Sequence, residues 1–282
     1  MLGLGFGLNR GRRIGGFVGL LDRFPDAAAA YSLRKLRKAY TGAAVRVRES
    51  GGNTEADIGF LADGTLDTTA LLAHCGANDG FVTVWYDQSG NGNNAVNTTL
   101  TEQPLIVSGG VIVEENGKAA IQFDGSVVNK KLTFTYAAST PISSFIVMRE
   151  IGTNSFPYVL GASNGSLNDI LCLGFIKSSN VVRNFISGIN QFVDANYTDY
   201  SLYTSIMDAA NSVIGRNGGS GVATNNATGT SGLTTFSIGA QPNDLLTAAV
   251  DGTMQEIIIF DSNQSINRTG IEGNINTYYN IY

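Results

Sequence analysis

Apolar and polar positions alternate in twos along most of this chain. Val45 and Val47 are interleaved with Arg46 and Arg48, the signature of a strand with one buried face. Phe81-Val82-Thr83-Val84-Trp85-Tyr86 is the strongest strand signal, and the turn-rich Asp87-Gln88-Ser89-Gly90-Asn91-Gly92-Asn93-Asn94 closes it. Beyond it, short apolar runs recur at 105–107, 111–114, 119–123, 132–136, 144–149, 158–160, 170–176, 181–186, 202–207, 233–238 and 254–260. Asn116-Gly117 between two of them is a hairpin turn pair. Residues 215–232, rich in Gly, Asn and Thr, read as a long exposed loop.

Three stretches depart from period two. Asp26 stands where it would cap a helix over 27–39, with Tyr31, Leu33 and Leu36 as its apolar stripe. Asp67 caps a second helix over 68–74, ended by Gly76. Ile266, Ile271, Ile275, Tyr278 and Tyr279 give the last residues helical spacing. Many short strands with frequent turns and few helices predict an all-β sandwich or barrel.

Composition narrows this. With 282 residues, 43% hydrophobic and 15% charged, the chain is globular and long enough for one large domain. Residues 1–50 carry ten basic and three acidic side chains, and residues 51–282 eight and twenty, so a +7 front precedes a −12 body. Such a front suits an acidic partner surface, nucleic acid or a neighbouring copy, although 34–38 also reads as a solvated helix face. Aromatics are not interleaved with the basic residues, and the acidic body would repel phosphate, so nucleic acid ranks last.

Cys75 and Cys172 make no disulfide framework and read as small buried hydrophobes, and the lone His74 has no metal spacing around it. No run is long and apolar enough to span a bilayer. Arg10, Arg12 and Arg13 interrupt the apolar front, which is unlike a secretory signal, so synthesis without export is expected.

Residues 1–24 alternate Gly with Leu2, Leu4, Phe6 and Leu8, a pattern that cannot build a core alone. They form either an unstructured end or an arm ordered on a partner, for example by adding a strand to another sheet's edge.

Two segments carry a resemblance. The blocks AAAAYSLRKLRKAYTGAAVRVRES, TEADIGF, DGFVTVWYDQSGNGNNAV, QPLIV and NGKAAIQFDG resemble the front of the arabinofuranosidase B catalytic domain (glycoside hydrolase family 54), and also a group of phage and bacterial proteins. DGTMQEIIIFDSNQSINRTGIEGNINTYYNIY is similar to the closing strand and helix of laminin-G-like concanavalin domains. The resemblance implies one concanavalin A-like jelly-roll β-sandwich over 25–282 with a few short peripheral helices, behind an extended N-terminal arm over 1–24. The arm followed by this head looks like phage virion proteins such as tail fibres, spikes and decoration proteins. This chain has one Cys where the arabinofuranosidase pattern has many, and that family's catalytic carboxylates do not map onto matching residues.

Hydrolysis of a glycoside needs two carboxylates, and Asp87, Asp124, Asp251 and Glu256 are the best placed, although for each a structural role outweighs catalysis. Glycan binding needs an aromatic face and converging amides, which Trp85, Tyr86, Asp87, Gln88, Asn91 and Asn93 offer at one strand-to-loop junction. Calcium would find oxygens at Asp87 with Asn91 or Asn93, though not at EF-hand spacing; no other cofactor is indicated. The expectation is therefore a virion structural protein, homo-oligomeric, anchored to other virion proteins through Leu2, Leu4, Phe6, Leu8, Arg10, Arg12 and Arg13, and displaying a head that binds host-surface glycans. The alternative is a glycoside hydrolase of arabinofuranosidase type acting on envelope or plant polysaccharide.

Overall fold

The computed structural model describes residues 17–125, 130–163, 170–176, 181–186, 189–194, 198–208, 211–220, 232–241 and 249–282. The anchoring residues Leu2, Leu4, Phe6, Leu8, Arg10, Arg12 and Arg13 lie outside them, as do 221–231 of the expected long loop. The first strands are β1 (Ala27–Ser32), β2 (Val45–Glu49), β3 (Glu55–Ile58), β4 (Gly80–Trp85), β5 (Ala95–Val96), β6 (Leu105–Ser108) and β7 (Val111–Ile112). Next come β8 (Glu114–Glu115), β9 (Lys118–Ala119), β10 (Ile121–Phe123), β11 (Leu132–Ala138), β12 (Ile142–Glu150), β13 (Tyr158–Ser163) and β14 (Ile170–Ile176). The last are β15 (Val181–Ile186), β16 (Ile189–Asp194), β17 (Ser201–Met207), β18 (Val213–Arg216), β19 (Gly219–Ser220), β20 (Leu233–Ile238) and β21 (Gly252–Phe260). Helices α1 (Thr68–Cys75) and α2 (Arg268–Tyr279) complete the set.

The chain is mostly β, at 43% strand and 13% helix, and its antiparallel sheet curls into a sandwich. One layer centres on β21, which pairs with β12 along one edge and with β1 and β10 along the other. β17, β18 and β19 extend it beyond β12. The second layer runs β3-β2-β4-β5-β11-β20-β13-β14-β15-β16. β6, paired with both β4 and β10, stitches the two together. Aromatic rings mark where the layers meet: Tyr31 lies 5.8 Å from Trp85 and 5.3 Å from Phe134, and Phe175 lies 5.3 Å from Tyr203.

The β21 layer is buried on both faces. Ile257 and Ile259 point into the main core, while Ile258 and Phe260 pack with Phe145, Ile271, Ile275 and Tyr279 beneath α2. This is why the Ile257–Phe260 half of β21 reads as an apolar run rather than an alternating one.

The front helix expected over 27–39 does not form. Ala27–Ser32 is a strand running antiparallel to β21, with Ala30 opposite Ile258 and Ser32 opposite Glu256. Asp26 has a φ of 67° and caps nothing. Alanine favours helix in isolation, but tertiary pairing overrides so weak a preference. The expected solvated face at 34–38 fails with it, since Arg34 is buried. The second helix does form: Asp67 Oδ1 accepts the Ala70 N–H at 2.9 Å, and Gly76 ends it with a φ of 57°. Asn116 and Gly117, both at positive φ, turn the β8–β9 hairpin. The loop expected from residue 215 starts later, because β18 and β19 form a hairpin there. Cys75 is a buried free thiol, and the His74 ring bonds the Val47 carbonyl at 3.0 Å.

Candidate functional site

The Trp85–Asn94 block is a clamp on β1. One edge of β1 pairs with β21; the other has no neighbouring strand, and its polar groups are met by this loop. The Ala30 N–H donates to Asp87 Oδ1 at 2.8 Å, and the Gln88 N–H donates to the Ala30 carbonyl at 2.8 Å. The Gln88 amide donates to the Ser32 and Arg34 carbonyls at 2.9 and 3.0 Å, while its oxygen accepts the Leu36 N–H at 2.8 Å. Asn91 donates to the carbonyls of Ala27 and Ala28, and Asn93 to that of Ala28. Side chains thus stand in for a missing strand, as buried backbone requires.

This placement corrects the expected glycan-binding set. Trp85 and Gln88 are fully buried and Asp87 nearly so, leaving no face for a sugar. Asp87 accepts from the Ala30, Ser89 and Asn93 N–H groups and the Ser89 hydroxyl, so the carboxylate that would head a calcium ligand set is engaged on both oxygens. Tyr86 donates to Asp57 at 2.8 Å, and burial and then that bond push its hydroxyl up to about 12. Asn91 and Asn93 border an open cleft, and Tyr86 is half-exposed.

Of the four candidate carboxylates, Glu256 is also structural. Arg34 donates to it through Nε and Nη2 at 2.7 and 2.8 Å, and Ser32 adds a third bond. Asp124 and Asp251 are different. Phe123 faces Gly252, and continuing that antiparallel register by one residue sets Asp124 against Asp251. Both are half-buried. A Cβ on Gly125 would approach the Val250 carbonyl to 2.7 Å, which fits this register. Glu150, fully buried beside them, accepts the N–H groups of Gly152 and Asp251 at 2.9 and 3.3 Å. Asn154 bridges the two chains, donating to the carbonyls of Ala249 at 2.7 Å and Gly125 at 3.3 Å. Lys130 is close by: burial lowers its pKa, and Asp124 pulls it partly back. Periodicity alone could not find this cluster, because it depends on β10, β12 and β21 converging.

The family model of the alpha-L-arabinofuranosidase B catalytic domain matches residues 22–150. That span holds β1, its clamp and Asp124. A family 54 arabinofuranosidase mutant soaked with 4-nitrophenyl α-L-arabinofuranoside superposes with a TM-score of 0.69 at 14% identity, covering 88% of this chain and 62% of that one. An arabinofuranosidase complexed with arabinofuranosyl-α-1,2-xylobiose gives 0.68 at 14%, with the same coverage. The fold is that of an arabinofuranosidase catalytic domain. This chain spans 62% of the length of those proteins. No curated protein matches the sequence.

These matches overturn the virion expectation. Both the family model and the superposed structures are arabinofuranosidases, and nothing among them is a phage protein. The tail-fibre and decoration readings go with it. No helix among the described residues is long and apolar enough to cross a membrane.

Proposed function

We propose that this chain is a glycoside hydrolase of arabinofuranosidase type, acting on arabinose-containing polysaccharide. The observation that carries the reading is the family match over residues 22–150, on a chain whose fold follows arabinofuranosidases along most of its length. The reading takes residues 25–282 as one jelly-roll unit, into whose core Leu20 and Leu21 of the expected arm are packed beneath α2.

The chemistry falls to Asp124 and Asp251, the two half-buried candidates that the register of β10 and β21 sets side by side. Directly opposed residues on adjoining strands place their Cβ atoms about 4.5–5.5 Å apart. Neighbours at that spacing can work as a carboxyl pair, in which one protonates the leaving oxygen and the other attacks the anomeric carbon. Glu150, anchored by two backbone N–H groups, would position the Asp251 backbone from below.

The test is release of 4-nitrophenol from 4-nitrophenyl α-L-arabinofuranoside. Wild-type protein should turn over, and D124N and D251N should each lower kcat by at least about 100-fold with folding unchanged. Absence of wild-type turnover on this substrate and on arabinan would sink the reading.

A further inference from the structure

A second open site lies at the far end of β21. A cleft of about 640 Å³ is bordered by Asp26, Arg37, Tyr136 and Asp261, with Asn91 and Asn93 of the clamp forming its floor. Ala27 faces Phe260, so the same register sets Asp26 against Asp261. The cleft is therefore separated from Asp124 and Asp251 by the length of β21.

Most arginines of the described residues have a side-chain partner. Arg34, Arg46, Arg149, Arg216 and Arg268 each hold a carboxylate, and Arg48 bonds Gln103 and Asn53. Arg37 has no side-chain hydrogen bond or ion pair among the described residues, although Asp26 and Asp261 border the same cleft. Its guanidinium lies against Gly90, where an added Cβ would come within 3.3 Å of Nη1. The Tyr136 hydroxyl is sealed from solvent and lacks a well-formed hydrogen-bond partner among the described residues. Burial, and then the neighbouring Asp261, raise its pKa, so it remains protonated.

We infer that this cleft is a carbohydrate subsite, binding a neutral sugar of the polysaccharide away from the point of cleavage. A metal cation would require acceptors only, and an anion donors only. The cleft presents both: two carboxylates that accept and a guanidinium that donates. Sugar hydroxyls each donate and accept, so they satisfy this mixture, and the exposed part of the Tyr136 ring offers an apolar surface to C–H groups. The inference rests on the hydrolase reading for its substrate class, not for its geometry.

The probe is a linear arabino-oligosaccharide, titrated into uniformly 15N-labelled protein while backbone amide shifts are followed. Binding with Kd on the order of 1 mM is expected, with shifts centred on residues 26–28 and 89–93. R37Q and D261N, each checked for an unchanged melting temperature, should weaken it at least about fivefold. No saturable shifts at this cleft, or binding indifferent to both substitutions, would overturn the proposal. Wild-type protein that binds here but releases no 4-nitrophenol would support the subsite while refuting the hydrolase reading, so the two failures are distinguishable.

Discussion

Arg34 and Glu256 form the costliest pair of side chains in the molecule. The guanidinium is 8% exposed and the carboxylate 0%. Burial pushes Arg34 toward losing its proton, and the charge and hydrogen bond of Glu256 more than offset this, so Arg34 keeps its charge. Asn274 takes Nη1 at 2.9 Å, and the Tyr278 ring lies 4.8 Å below the guanidinium. β1, β21 and α2 therefore converge on one charge pair. Removing one partner strands the other in the core, at a cost of about 3–5 kcal/mol. E256Q should lose stability of that order in urea denaturation, whereas replacing both residues with apolar ones of similar volume should recover much of it. Equal loss in the double variant would show that packing, not charge, sets the cost. None of this could be read from the Arg34-Lys35-Arg37-Lys38 run, in which one arginine turns inward and its neighbours do not. Burial of a charge depends on its distant partner, here 222 residues away.

At the scale of elements, the strands and the short capped helix were legible because their cues are local: alternation, Asp67, Gly76 and Asn116-Gly117. β1 was not, because a strand buried on both faces loses its alternation and four alanines imitate a helix. The WYDQSGNGNN block was legible as specific and as a turn, but its grip on β1 was not. Its carboxylate and amides resemble a sugar site by type, yet they point at backbone. That gives a direct expectation for Asp87→Ala. The Ala30 and Asn93 N–H groups would lose their acceptor, costing about 1–3 kcal/mol for each group left unsatisfied. Hydrogen exchange at the Ala30 amide should quicken by more than that at Ile258 on the paired strand. Equal quickening at both would mean that the loop steadies the whole layer rather than gripping one edge.

Across the whole molecule the two layers are held by different means, and acid should separate them. The β21 layer is packed with apolar side chains on both faces around the enclosed Arg34–Glu256 pair, and strands β1 and β21 from the two ends of the chain pair within it. The outer edge of the second layer, β2 with β3 and the loop beyond, depends on carboxylates. Glu49 accepts the N–H groups of Gly51, Gly52 and Thr54 at 2.6, 2.7 and 3.1 Å, and these backbone bonds hold its pKa down at about 2. Asp57 is lowered chiefly by its bond to Arg46, and Asp63 by its bonds to Thr65. A carboxyl whose folded pKa is depressed stabilises the fold above its unfolded pKa, and that contribution disappears as pH falls through the folded value. For Glu49 the window runs from the ordinary 4.5 down to about 2. Hydrogen exchange by mass spectrometry, corrected for intrinsic rates, should therefore show residues 45–66 opening as pH falls through this window, while β12 and β21 remain protected. E49Q should already be looser at neutral pH and should change less on acidification. If β12 and β21 open together with β2 and β3 over that range, the sandwich is a single cooperative unit, and the carboxylate-rich edge is not its weak side.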